Sequence, residues 1–144
     1  MSKSQLDLVA QWERQKEQKM VEDFRQAQQF AQSNKQKLSG LENYRLDYLR
    51  EVQQKAKNGI GSLTFGQHHQ FIGKLDKACE MQTQALNKAL IVADQRRSQW
   101  LQQQRKRKAV EMLLQKQQLA KQKREDKQEQ AMLDEMSLQK YLRK

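Results

Sequence analysis

Apolar and small side chains recur along the first fifty-odd residues at alternating intervals of four and three. Leu6, Ala10, Met20, Phe24, Ala27, Ala31, Leu38, Leu41, Tyr48 and Val52 share one register, interrupted at Glu13, Glu17, Asn34 and Arg45. A 4-3 spacing sustained over many turns marks the seam of a coiled coil, because it keeps one helical stripe facing a partner. A polar residue in such a seam costs stability and can fix register, which is the role the pattern suggests for Asn34. A second run of the same kind follows through Phe71, Leu75, Ala78, Gln82, Ala85, Ala89 and Val92. It crosses a polar gap at Arg96, Gln99, Gln103 and Lys106, then resumes at Val110, Leu113, Gln117 and Ala120.

Between the two runs lies the stretch Asn58-Gly59-Ile60-Gly61-Ser62-Leu63-Thr64-Phe65-Gly66. The chain contains no proline, and its five glycines fall at positions 40, 59, 61, 66 and 73. Asn-Gly is an effective helix stop, since both residues accept the left-handed conformation that ends a helix. The expected fold is therefore all-α, an antiparallel two-helix coiled-coil hairpin forming a single domain. Helix 1 is expected over about 4–57, the turn over about 58–66 and helix 2 over about 67–142. Folding near Ser62 pairs residue i with residue 124 − i, which sets Tyr48 near Asp76, Phe24 opposite Trp100 and Trp12 opposite Met112. A parallel homodimer of each helix is the competing arrangement, but the short turn makes the intramolecular pairing cheaper in entropy. Residues 121–144 are expected to overhang helix 1 with an apolar stripe of Met132, Leu133, Met136, Leu138, Tyr141 and Leu142. That stripe is either a docking face or a helix that frays in isolation.

Composition strengthens the elongated reading. Charged residues make up 31% of the 144 and aromatics 6%, and the mean hydropathy is −1.11. Such a chain cannot fill a thick core, but its Ala, Leu, Gln, Glu, Lys and Arg are good helix formers that suit a thin seam. The net charge of +11 is uneven. Residues 1–58 hold eleven basic against eight acidic side chains, whereas residues 95–124 hold ten basic against Glu111 alone. This collar on helix 2 points to an acidic partner. Cys79 is the lone cysteine, so no internal disulfide can form and a reducing compartment is expected. Residues 1–7 lack the apolar core of a signal peptide, and the longest apolar run, Ala89 to Ala93, is far short of a membrane span. A soluble, cytoplasmic protein is the expectation.

No catalytic, metal or cofactor constellation emerges. His68 and His69 are adjacent, so they point to different sides of a helix, and neither has a cysteine at zinc-ligand spacing. No phosphate-binding glycine loop or nucleophile elbow is present, and a two-helix seam offers no cavity for a small-molecule substrate. The chain is not expected to be an enzyme, and no cofactor is expected.

Two surface features remain. The collar Arg105, Lys106, Arg107, Lys108, Lys116, Lys121, Lys123 and Arg124 can be read as a solvated face, as a contact for nucleic-acid phosphates, or as a dock for an acidic protein. Membrane binding suits the collar less well, since it alternates with Gln and lacks a broad apolar face. Beside the turn, Leu41, Tyr44 and Tyr48 on helix 1 and Phe71, Leu75, Ala78 and Gln82 on helix 2 form a second group. Together with Leu38, Leu46, Leu49 and Val52 they outnumber the two positions in seven that a seam can cover. Either the seam thickens there or some of these side chains face a partner.

At these residues the chain resembles the FliJ family of bacterial flagellar export proteins, which are related to the stalk proteins of type III secretion injectisomes. The resembling pieces are Leu41-Glu42-Asn43-Tyr44-Arg45-Leu46-Asp47-Tyr48 and Phe71-Ile72-Gly73-Lys74-Leu75-Asp76-Lys77-Ala78 with Gln82. Arg97-Ser98-Gln99-Trp100 running into Arg105–Lys108, and Asp134-Glu135, complete the order. The resemblance implies a coiled-coil stalk that inserts its terminus-bearing end into a hexameric export ATPase and promotes its activity. It further implies contact with the export-gate membrane protein, escort of export chaperones, and a place at the cytoplasmic face of the inner membrane. Carried onto this chain, Leu41, Tyr44, Tyr48, Phe71, Leu75, Ala78 and Gln82 would face the gate, and the collar from Arg105 to Arg124 would meet the ATPase ring. A basic adaptor for nucleic acid, or for an unrelated protein scaffold, is the alternative, and the motif order speaks against nucleic acid.

Overall fold

A computed structural model describes residues 2–143 and contains two long helices, α1 (Lys3–Lys57) and α2 (Ser62–Leu142), with no strand among the described residues. The chain divides into two compact units, each built from both helices. In the unit Met20–Trp100 the two helices run antiparallel, joined by the turn. Phe24 stacks on Trp100 with ring centroids 5.8 Å apart, the pairing expected from the fold-back. The other unit joins the residues up to Lys19 to those from Leu101 onward. There too the helices are antiparallel, as Arg14 meets Glu111 while Glu17, one turn later in α1, meets Arg107, one turn earlier in α2.

The turn is shorter than the glycine pattern suggested. Gly59 takes a positive φ of 82°, which the missing Cβ makes inexpensive, and its N–H donates to the Ala56 carbonyl at 3.2 Å. Two residues later the Gly61 carbonyl accepts the Phe65 N–H at 3.0 Å and so opens α2. The helix therefore begins at Ser62 rather than near residue 67, and Gly66 lies within it. Glycine lowers helix propensity by only about 1 kcal/mol relative to alanine, which an 81-residue helix absorbs.

Every seam position read from α1 is buried or half-buried, from Leu6 and Ala10 to Tyr48 and Val52, with the polar residues Glu13, Glu17, Asn34 and Arg45 included. The α2 seam needs correction. Leu75, Gln82, Ala89, Gln103, Val110 and Gln117 lie on it as expected, but the alternate positions are Ile72, Ala93, Trp100, Arg107 and Leu114. Phe71, Val92, Gln99, Lys106, Leu113 and Ala120 are exposed instead. The apolar pattern alone could not separate the two stripes, because Phe71-Ile72, Ala78-Cys79, Ala85-Leu86, Val92-Ala93 and Leu113-Leu114 are adjacent pairs of small or apolar residues. Cross-seam partners decide it: Trp100 has Phe24 to stack on, and Arg107 has Glu17 to pair with. For the same geometric reason Trp12, one position before the buried Glu13, turns outward at 58% exposure and Met112 at 59%, so neither packs into the seam as expected. Lys16 covers the Trp12 ring instead, its Nζ 3.5 Å from the centroid.

All four polar interruptions of the α1 seam are partnered from α2. Within Met20–Trp100, Gln82 Nε2 donates to Asn34 Oδ1 at 2.9 Å and to the Asn34 carbonyl at 3.0 Å, while Asn34 Nδ2 donates to the Phe30 carbonyl at 2.9 Å. Arg45 pairs with Asp76. In the other unit, Gln103 donates to the Glu13 carbonyl at 3.0 Å and to its carboxylate, and Arg107 pairs with Glu17. A buried polar group left without a partner costs ~1–3 kcal/mol, so slipping the helices past one another strands several at once. These layers specify register where a seam of Ala, Gln and Leu is otherwise permissive.

Candidate partner-binding faces

The first candidate face lies beside the turn. Tyr48 is half-buried, and its ring packs against Phe71 at 4.7 Å and His68 at 5.5 Å, with its hydroxyl hydrogen-bonded to His68 Nδ1. Tyr44 also meets Phe71 edge-on at 6.4 Å yet stays 52% exposed, and Phe71 is 36% exposed. Edge-to-face rings of this kind hold one another in place, so the outer surface of the cluster is ordered without being covered. Leu46, Leu63 and Phe65 add exposed apolar area nearby in sequence. The expected gate-facing residues thus separate into two sorts. Tyr44 and Phe71 present accessible surface, whereas Leu75 is 7% exposed, Leu41, Tyr48 and Ala78 are half-buried, and Gln82 is engaged with Asn34.

The second candidate face is the collar. Arg105, Lys106, Lys108, Lys116, Lys121, Lys123 and Arg124 are exposed. Arg107 differs from its neighbours, with its side chain only 22% exposed. Its Nε pairs with Glu17, and its Nη1 reaches Glu111 Oε2 at 2.9 Å. Arg14 joins the same group through a 2.9 Å bond to Glu111 Oε1. Two arginines and two glutamates thus alternate across this unit. The hydrogen bond from Arg14, then that from Arg107, holds the Glu111 carboxyl below its ordinary value. The Glu17 hydrogen bond raises Arg107 above the ordinary arginine value. The consequence for the collar is that Arg107 is committed to the seam, and the outward charge comes from its neighbours.

His68 was the partner sequence reasoning left aside, since an adjacent histidine pair suggests metal first. The signal for it was positional: 68 lies on the same stripe as Ile72 and Leu75. Arg14 was likewise not separable from other exposed arginines. Among the described residues, no group of three or more His, Cys, Asp or Glu is close enough to hold a metal ion, and no helix is long and apolar enough to cross a membrane. From Gln118 to Arg143 every described residue is exposed, including Leu119, Met132, Leu133, Met136 and Tyr141.

No curated protein and no solved structure matches the chain. The family model of the flagellar FliJ protein does, over residues 2–144, essentially the whole length. The two long helices, the paired seam and that full-length match give one conclusion: the chain belongs to the FliJ family and is a component of the flagellar protein-export apparatus.

Proposed function

We propose that this chain is a non-enzymatic stalk and coupling protein. It docks on a hexameric export ATPase through its basic collar, meets the membrane-embedded export gate through the aromatic face beside the turn, and escorts export chaperones. The observation that carries the reading is the separation of the two faces in kind. One is a run of exposed cations, Arg105, Lys106 and Lys108 among them, with a single acidic residue from 95 to 124. The other is an ordered, half-exposed ring cluster at Tyr44, Tyr48 and Phe71. A cationic face speeds encounter with an acidic partner and is weakened by salt, while exposed aromatics supply contact area at low entropic cost. The proposed location is the cytoplasmic side of the inner membrane at the flagellar base. Catalysis and small-molecule binding have no place in this reading.

The test is ATPase stimulation. The wild-type chain should raise turnover by the cognate hexamer, and Lys106→Glu with Lys108→Glu should reduce that effect at least tenfold in apparent affinity while leaving helicity unchanged. Absence of stimulation, or stimulation indifferent to charge reversal, refutes the ATPase assignment. Tyr44→Ala and Phe71→Ala should weaken binding to the soluble part of the gate and leave ATPase stimulation intact. Binding to duplex DNA tighter than to any export component would favour the nucleic-acid reading instead.

A further inference from the structure

The turn itself carries a surface beyond the Tyr44–Tyr48–Phe71 ring cluster and the collar. Leu63 and Phe65, in the first turn of α2, are 78% and 49% exposed. Two helical residues at this spacing are separated by about 200° around the axis, so they flank the helix on opposite sides. A groove on a folded protein would cover one flank; a fluid interface can take both. The charge is one-sided as well. Between Glu51 and Asp76 no acidic residue occurs, while Lys55 and Lys57 lie in the last turn of α1. Lys55 makes an exposed 3.3 Å pair with Glu51, of the kind that contributes little, and Lys57 makes no ion pair among the described residues. The first turn of α2 holds no acidic residue to offset its N-terminal N–H groups, which favour anions.

From these observations we infer that the turn docks on an anionic lipid surface, with Leu63 and Phe65 entering the headgroup region and Lys55 and Lys57 meeting lipid phosphates. Apolar side chains flanked by lysines are the composition that settles at such an interface. Each lysine near an anionic surface contributes about fivefold in affinity, so the two together give on the order of tenfold or more. The inference does not rest on the gate or ATPase assignments, and its test contains neither protein.

Because the collar also attracts anionic vesicles, the readout must report insertion at one site. In a Cys79→Ala background, an environment-sensitive fluorophore is attached at Thr64→Cys or, as control, at Lys106→Cys on the full chain. The titrants are vesicles of phosphatidylcholine with 30% phosphatidylglycerol and vesicles of phosphatidylcholine alone. The expected result is a blue shift and intensity gain at position 64 with the anionic vesicles only. Lys55→Glu with Lys57→Glu should weaken that response at least tenfold, and Leu63→Ser with Phe65→Ser should abolish it without loss of helicity. A probe at 64 that stays aqueous while the protein sediments with vesicles overturns the inference and assigns the binding to the collar. A probe at 64 that responds to soluble polyglutamate and not to vesicles also overturns it, in favour of an acidic protein partner.

Discussion

Replacing Arg107 with methionine separates a seam cation from its exposed neighbours. The Arg107 and Glu17 side chains are 22% and 15% exposed, so the pair lies between an exposed ion pair, worth ~0.2–1 kcal/mol, and a buried one, whose breakage costs ~3–5 kcal/mol. Glu111 keeps Arg14 at 2.9 Å after the change, so only Glu17 loses its cation. Methionine retains most of the packing of the arginine stem. The expected destabilisation is about 1.5 kcal/mol, seen as a loss of roughly 3–6 °C in Tm for a chain of this size. Circular dichroism during urea or thermal unfolding reads it directly. A double-mutant cycle with Glu17→Gln should return a coupling of about 1 kcal/mol. Lys106→Met and Lys108→Met, one position to either side, should stay within ~0.5 kcal/mol of wild type. Equal effects at 106, 107 and 108, or a coupling near zero, would refute the reasoning that Arg107 belongs to the seam.

Asn34→Leu should raise Tm, because an apolar residue suits a seam, while loosening register, measured as a broader inter-label distance distribution across Met20–Trp100. Leu75→Ala should cost about 2 kcal/mol by removing a side chain that is 7% exposed, whereas Tyr44→Ala should cost under ~1 kcal/mol; equal losses would contradict the division of that face. The Glu111 carboxyl is held down in the folded chain, so its contribution to stability is complete above the ordinary glutamate value of about 4.5 and is lost as pH falls through the depressed one. Glu111→Gln should therefore lower stability at pH 7 and flatten the acid limb of a plot of stability against pH, and an unchanged acid limb would count against the Arg14–Glu111–Arg107 group.

Much of this fold was written in residue spacing. The α1 stripe from Leu6 to Val52 was legible throughout, because its apolar and small residues have polar neighbours at most steps and only one stripe satisfies them. The α2 stripe was ambiguous wherever two apolar or small residues stood side by side, and periodicity cannot choose within Val92-Ala93 or Leu113-Leu114. Information from the opposite helix is needed there, in the form of Phe24 for Trp100 and Glu17 for Arg107. The turn length was overestimated for a local reason. Gly66 looks like a breaker in sequence, but the stop is made by Gly59 and the restart by Gly61. The candidate faces were legible as compositions, a cationic run and an aromatic group. Which members point outward was not, since a one-residue step turns a side chain by about 100°. That step places Arg107 in the seam and Lys106 outside it.

The central claim is that the helices pair within one chain, antiparallel, in the register set by the polar layers. Oxidative cross-linking of Phe24→Cys with Trp100→Cys, in a Cys79→Ala background, tests it most directly, because those rings stack at 5.8 Å. The account predicts rapid disulfide formation that leaves the protein monomeric on a non-reducing gel, with a much slower reaction when Gln99→Cys replaces Trp100→Cys. Cross-linked dimers as the main product, or faster reaction through position 99, would contradict it.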